Sequence, residues 1–143
     1  MLIAHLAFLL AAAFAGAAVY VAVVEQPARL MLDDRAALAQ WKPSYARSKV
    51  MQGALAALGG TLALWVWWVG RDGLWLLAGL LLLAPWPFTI FVILPTNHKL
   101  ERLAPDASTP EILSLLTHWG RLHLVRAALG CASVLAMLVA LQH

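Results

Sequence analysis

The chain has 143 residues, of which 63% are hydrophobic and only 12% charged, with a formal net charge of +3. A soluble domain carries about 25% charged residues, so these proportions exclude an ordinary soluble globular protein and describe one small integral membrane domain over residues 1–143. The single cysteine, Cys131, rules out an internal disulfide and lies inside an apolar run.

In chain order, the first apolar segment runs from Leu2 to Val24. AFAGA within it resembles a signal-peptide cleavage site, but the segment lacks a basic start and continues unbroken to Val24, which predicts a true transmembrane helix. Glu25 to Lys49 is a longer polar connection, in which DDRAALAQW predicts a short helix lying at the membrane surface. The second span is Val50–Val69. The GRDG turn at 70–73 leads to the third, Leu74–Leu94, where Pro85 and Pro87 predict a kink. A second polar connection, PTNHKLERLAPDASTP, is bounded by Pro95 and Pro110. SerThr before Pro110 and Glu111 after it predict the start of an extended fourth helix that crosses over about Leu122–Leu141. Each segment is close to the about 20 residues that a hydrocarbon core requires. The fold expected is therefore an all-α bundle of four transmembrane helices.

Nine of the 10 Lys and Arg residues fall in the two long connections or the adjoining start of the fourth helix, and only Arg71 lies on the other side. By the positive-inside rule, the long connections face the cytoplasm and both termini lie on the non-cytoplasmic side. This topology accounts for the basic excess without nucleic acid. The partners expected are the lipid bilayer and a lipophilic small molecule, and a homo-oligomer is compatible with the sequence.

The same topology brings polar residues from all four helices to one level. Glu25 follows the first span, Tyr45 and Gln52 flank the start of the second, Asn97 follows the third, and His123 and Arg126 enter the fourth. Trp119, His123, Arg126 and Gly130 share one helical stripe, whereas His118 and Arg121 point toward water or headgroups. Trp119 and a shallow arginine are equally ordinary at an interface, where Arg snorkels. Ionisable groups at membrane depth more often face the bundle interior and mark function. Trp65, Trp67 and Trp68, beside GRDG, read as an interfacial belt.

The blocks GAAVYVAVVEQPARL, WKPSYARSKVMQ, LPTNHKLERL and LLTHWGRLHLVRAALG, kept in this order, resemble the anthrone oxygenase-like family of small four-helix membrane proteins. The resemblance rests on E-x-P-x-R (Glu25 to Arg29), PTN (Pro95 to Asn97) and W-x-x-L-H-x-x-R (Trp119 to Arg126). It implies Glu25, Arg29, Asn97, Trp119, His123 and Arg126 as site residues, with Tyr45 and Gln52 matching less closely. The chemistry it implies is oxygenation of a lipophilic, anthrone-like aromatic in a polar pocket on the cytoplasmic side. In that reading His123 is the base, Arg126 and Asn97 stabilise the developing anion, and Glu25 orients His123 or neutralises Arg126. Trp119 stacks on the substrate, with Tyr45, Gln52 and Arg29 beside it. Such a substrate needs no cofactor. The alternatives are a haem-, copper- or iron-binding redox protein with His123 as ligand and Glu25 and His98 nearby, and a non-enzymatic protein that binds quinone or lipid.

Overall fold

The computed structural model describes residues 1–143. Four helices are long and apolar enough to cross a membrane: α1 (Leu2–Arg29), α2 (Asp34–Gly70), α3 (Gly73–Arg102) and α4 (Thr109–Ala140). The all-α, four-helix expectation holds. Each helix packs on its sequence neighbour and α4 returns to α1, which closes an up-down-up-down bundle.

The polar connections are mostly helical. No separate surface helix lies between α1 and α2: α1 continues to Arg29, and α2 starts at Asp34 and runs without a break through the polar stretch into the span. The reason is visible in the burial pattern. Ala37, Leu38, Trp41 and Tyr45 recur at helical spacing and are buried, so the helix earns its packing long before it becomes uniformly apolar. Pro43 sits on an exposed face, where water reaches the carbonyl that it leaves unpaired. PTNHKLER likewise extends α3, and the helix ends only at Arg102.

Asp side chains set the helix starts at the tight connections. Asp33 accepts a hydrogen bond from the Ala36 amide at 3.1 Å and Asp72 one from the Leu74 amide at 2.9 Å. In GRDG the left-handed residue that stops α2 is Arg71, with φ of 60°, and neither glycine. Its guanidinium lies 4.3 Å from the ring centre of Trp68, in the tryptophan cluster at that end of the bundle.

Two wide helical turns shape the interior. α1 has a π-helical turn at Val21–Glu25 and α3 one at Thr89–Ile93. Each precedes a proline by two positions, Pro27 and Pro95. A proline ring crowds the carbonyl four residues earlier, here Val23 and Phe91, and both carbonyls lie within the wide turns. The widening also changes which side chains face inward. The buried face of α1 steps through Ala18 and Val21, then skips to Gln26 and Arg29. In α3, Ile93, Thr96 and Asn97 come to the inside. The kink expected at Pro85 and Pro87 is an interruption of the helix at Ala84, followed by the Thr89–Ile93 wide turn.

The core has two parts. One is built largely from small residues, including Ala7, Ala11, Ala63 and Ala78 around Phe14 and Met137. The other is aromatic and aliphatic, with Trp41, Tyr45, Ile93, Leu116 and Trp119. Along α2 and α4 the buried polar residues Gln52, His123 and Arg126 fall between these two clusters.

Small residues allow the helices to approach closely, as expected where dispersion rather than the hydrophobic effect holds helices together. A Cβ on Gly79 would lie 2.8 Å from the Leu64 side chain and 3.2 Å from the Gly60 carbonyl oxygen. Overpacking of this kind costs about 1–3 kcal/mol. Gly79→Val will therefore lower the thermal unfolding temperature in detergent, whereas Gly73→Ala, with open space around the added Cβ, will not. Equal temperatures for Gly79→Val and the unaltered protein would contradict this α2–α3 contact.

Candidate functional site

The α4 stripe is buried as its spacing predicts: Trp119, His123, Arg126 and Gly130 all face the bundle interior, and His118 and Arg121 are exposed. Gly130 is required there, because a Cβ would meet the Phe14 ring at 2.9 Å. The guanidinium of Arg126 lies 5.7 Å from the same ring centre.

From Arg126 a continuous set of contacts runs through three helices. The Arg126 guanidinium donates from Nη1 to His123 Nε2 at 3.4 Å. His123 Nδ1 lies 3.2 Å from the Trp119 carbonyl oxygen. A carbonyl can only accept, so that contact places the proton on Nδ1 and the lone pair on Nε2. The His123 ring stacks on Trp119 with centroids 3.7 Å apart. Trp119 donates its indole N–H to Asn97 Oδ1 at 2.9 Å, and Asn97 donates from Nδ2 to the Tyr45 hydroxyl oxygen at 3.0 Å. Trp41 supports this chain, stacked on Tyr45 at 4.8 Å and edge-on to Trp119 at 5.9 Å. Asn97 thus uses both ends of its amide: its carbonyl and its NH₂ fix the two aromatic rings relative to each other.

Glu25 and Arg29 form a second cluster. The Glu25 carboxylate accepts from Arg29 Nη2 at 2.7 Å, from Gln40 at 3.2 Å and from the Ser44 hydroxyl. Arg29 also donates to Gln26 and Gln40, and Gln26 donates on to the Leu116 carbonyl oxygen at 2.8 Å. Glu25 therefore neither orients His123 nor neutralises Arg126, which corrects the role expected of it from the sequence. The π-helical turn at Val21–Glu25 sets the register in which Glu25 meets Arg29 and the start of α2. The link between the clusters is Arg29, whose guanidinium lies 5.3 Å from the Trp119 ring centre.

This leaves Arg126 in an unusual position. It is 8% exposed, and it takes part in neither of the chain's two carboxylate ion pairs, Arg29–Glu25 and Lys49–Glu101. Its Nε has no hydrogen-bond partner. It lines, with Tyr45, a cavity of about 260 Å³ between α2 and α3. The remaining walls are mainly apolar and include Ala56, Pro85, Ile90 and Leu94, with Gly53 and Trp86 facing each other. His123 does not line this cavity and reaches it through Arg126. Gln52 is buried nearby in sequence, with Oε1 unpartnered. Asn97 and Trp119 lie behind Tyr45, and Glu25 and Arg29 line a separate cavity between α1 and α2 with Gln40.

His98 is exposed, so it does not join His123. No group of three or more His, Cys, Asp or Glu side chains is assembled anywhere that could hold a metal ion. The sequence also did not single out Gln26, Gln40 and Ser44, the neutral partners of the Glu25 pair. Their only signal was polarity on a helical face that otherwise packs. Lys49, Gly53 and Trp86 at the cavity were missed because a groove between two helices has no sequence pattern of its own.

A family model described as anthrone oxygenase matches residues 41–136. No curated protein and no solved structure matches the chain. The matched region contains every residue of the Tyr45–Asn97–Trp119–His123–Arg126 chain and begins after Glu25 and Arg29.

Proposed function

The chain belongs to the anthrone oxygenase family and is an oxygenase-like multi-pass membrane protein, and from that premise we propose that it oxidises a lipophilic, anthrone-like aromatic in the cavity between α2 and α3. The observation that carries this reading is Arg126, a buried cation without a carboxylate partner at the wall of an apolar cavity. Such a group calls for an anionic oxygen from outside the protein, and an apolar wall calls for an apolar body attached to it.

An anthrone supplies both. Loss of a proton from its central CH₂ leaves an electron pair delocalised onto the ring oxygen. Arg126 and the Tyr45 hydroxyl stabilise that oxyanion. The bond from Asn97 occupies a lone pair of Tyr45 and leaves its O–H free to donate. His123 Nε2 is the base: its long 3.4 Å contact with Arg126 is given up when the guanidinium turns to the substrate oxygen. Dioxygen is the oxidant. It takes one electron from the anion and recombines at the carbon to form a C–O bond, and the peroxide is protonated. Loss of the second C–H proton and cleavage of the O–O bond then release water and leave the second quinone carbonyl. One oxygen atom ends in the quinone and the other in water.

Trp119 and Arg29 hold the framework around His123 rather than the cavity wall. Gln52 sits on α2 three residues past Lys49, with its amide oxygen unpaired as a further polar group at this level. The excess of basic residues at this end of the bundle supports a cytoplasmic position for the site, with both termini opposite. The test is oxygen uptake and quinone formation from anthrone by detergent-purified protein. The proposal expects one quinone per dioxygen consumed, and a loss of turnover in His123→Ala with an unchanged helical spectrum. Full turnover in that variant would remove His123 as the base. A wild-type protein that consumes no oxygen with anthrone would leave only ligand binding.

A further inference from the structure

Between Leu74 and Leu94, Thr89 is the one hydroxyl, amide or ionisable side chain of α3. A threonine inside a helix commonly turns its hydroxyl back onto the carbonyl four residues earlier. Thr89 does not. The hydroxyls engaged in hydrogen bonds are those of Ser44, Tyr45, Ser48 and Ser133. Thr61 and Thr96 are also free, but neither lines the Arg126 cavity, and Thr89 does. Its hydroxyl is an unused donor in a wall that Pro85, Ile90 and Leu94 otherwise make apolar.

The wide turn at Thr89–Ile93 sets where that hydroxyl stands. Thr89 and Asn97 are eight residues apart (89 to 97). In a regular α-helix eight residues make about 2.2 turns and leave the two side chains about 80° apart. A π-helical turn uses more residues per revolution and so reduces that offset. Thr89 is thereby brought toward the face of Asn97, whose amide holds the Tyr45 hydroxyl at 3.0 Å. At 1.5 Å per residue, about 12 Å of helix separates the two positions.

That span suits a ring held at both edges. The two oxygens of a quinone are about 5 Å apart, two C=O lengths plus the width of one ring. A hydrogen bond of about 2.8 Å at each end brings the total to about 11 Å. Gly53 and Trp86 set the other limit. An added Cβ on Gly53 would already touch Trp86 at 3.6 Å, so no ring passes between them, and a ligand lies on the Asn97 side of that contact.

We infer that Thr89 is the second polar anchor of the cavity: its hydroxyl donates a hydrogen bond to an oxygen across the ring from the one held by Arg126 and Tyr45. This rests on reading the Arg126 cavity as the ligand site. It names the ligand class as a flat aromatic with oxygens on opposite edges of one ring. In the proposed reaction the Thr89 oxygen partner is the one that oxygenation installs, so Thr89 distinguishes the quinone from the anthrone.

Thr89→Val keeps the side-chain shape and deletes the hydroxyl, and Thr89→Ser keeps the hydroxyl. The probes are 9,10-anthraquinone, with two ring oxygens, and anthrone under nitrogen, with one. The measurement is their retention by protein in lipid nanodiscs above the level held by empty nanodiscs. The unaltered protein should retain both. Thr89→Val should weaken quinone retention about five-fold, the effect of one hydrogen bond, and leave anthrone retention unchanged. Thr89→Ser should hold the quinone as the unaltered protein does. All should unfold at similar temperatures, since the hydroxyl has no bond within the chain to lose. Equal quinone retention by Thr89→Val and the unaltered protein would overturn the anchor. So would equal losses for both probes, a Thr89→Ser protein as weak as Thr89→Val, or no quinone retention by the unaltered protein.

The oxygenase reading is scored separately. A loss in Thr89→Val confined to the quinone, with no oxygen uptake from anthrone, would keep the anchor and discard the reaction. Anthrone turnover with quinone retention indifferent to Thr89→Val would keep the reaction and discard the anchor.

Discussion

Arg126→Met will slow anthrone turnover by about 10²–10³-fold and leave the protein as stable as the original or more so. The two effects come from one fact. A guanidinium that is almost fully buried, outside every carboxylate ion pair and with Nε unsatisfied is a cost to the folded state. Replacing it with an apolar side chain of similar length removes that cost. In the proposed reaction it is also a preorganised donor to the oxyanion, and losing one such donor lowers kcat by about 10²–10³-fold. Oxygen uptake and thermal unfolding, measured on the same preparation, check both halves. A fall in stability parallel to the fall in activity would assign Arg126 a structural role. Arg126→Lys keeps a charge but not the planar fork, and should recover only part of the rate.

Glu25→Ala will show the opposite pattern. Arg29 is 2% exposed, and the Glu25 carboxylate is its only anionic partner. Breaking a buried pair by removing one member costs about 3–5 kcal/mol, because the other charge is left uncompensated. The variant should unfold at a markedly lower temperature and accumulate poorly. The double variant Glu25→Ala/Arg29→Met should regain most of the stability, since no stranded charge remains. If it also regains anthrone turnover, the pair holds α1 against α2 and takes no part in the reaction. Thermal unfolding of the two single variants and the double variant gives the coupling directly. A Glu25→Ala protein as stable as the original would contradict the charge pairing seen here.

These two arginines explain how far the sequence could be read. The stripe Trp119, His123, Arg126, Gly130 lies on one unbroken stretch of helix, so spacing alone identified its inward face. Asn97 and Tyr45 were legible as polar groups brought to the same level, though not as the hydrogen-bonded pair that they form. Glu25 was assigned the wrong partner because a wide turn ends at that residue. A π-helical turn rotates everything after it, and regular 3.6-residue spacing cannot anticipate that.

The helix limits were misjudged for a different reason. The drop in hydrophobicity after Val24 and before Val50 is a change in composition alone. It does not mark where the helix ends, and the packed positions Ala37, Leu38, Trp41 and Tyr45 carry α2 well past that boundary. Gln40, Lys42 and Ser44 between them disguised a helical period that was present all along. Gly53 illustrates the remaining gap. It is one glycine among nine, and only in three dimensions does it separate from Gly59 and Gly60, where an added Cβ would clash with a leucine, whereas at Gly53 it would make an ordinary contact with Trp86.

The central claim is that Arg126 holds an aromatic oxyanion in the α2–α3 cavity, and it can be tested without turnover. A hydroxyanthraquinone absorbs at longer wavelength as the phenolate than as the phenol. When 2-hydroxyanthraquinone is titrated with detergent-purified protein at a pH where the free dye is mostly phenol, the account predicts a shift to the phenolate spectrum with the unaltered protein and none with Arg126→Met. A dye that binds the unaltered protein but keeps its phenol spectrum would contradict the account.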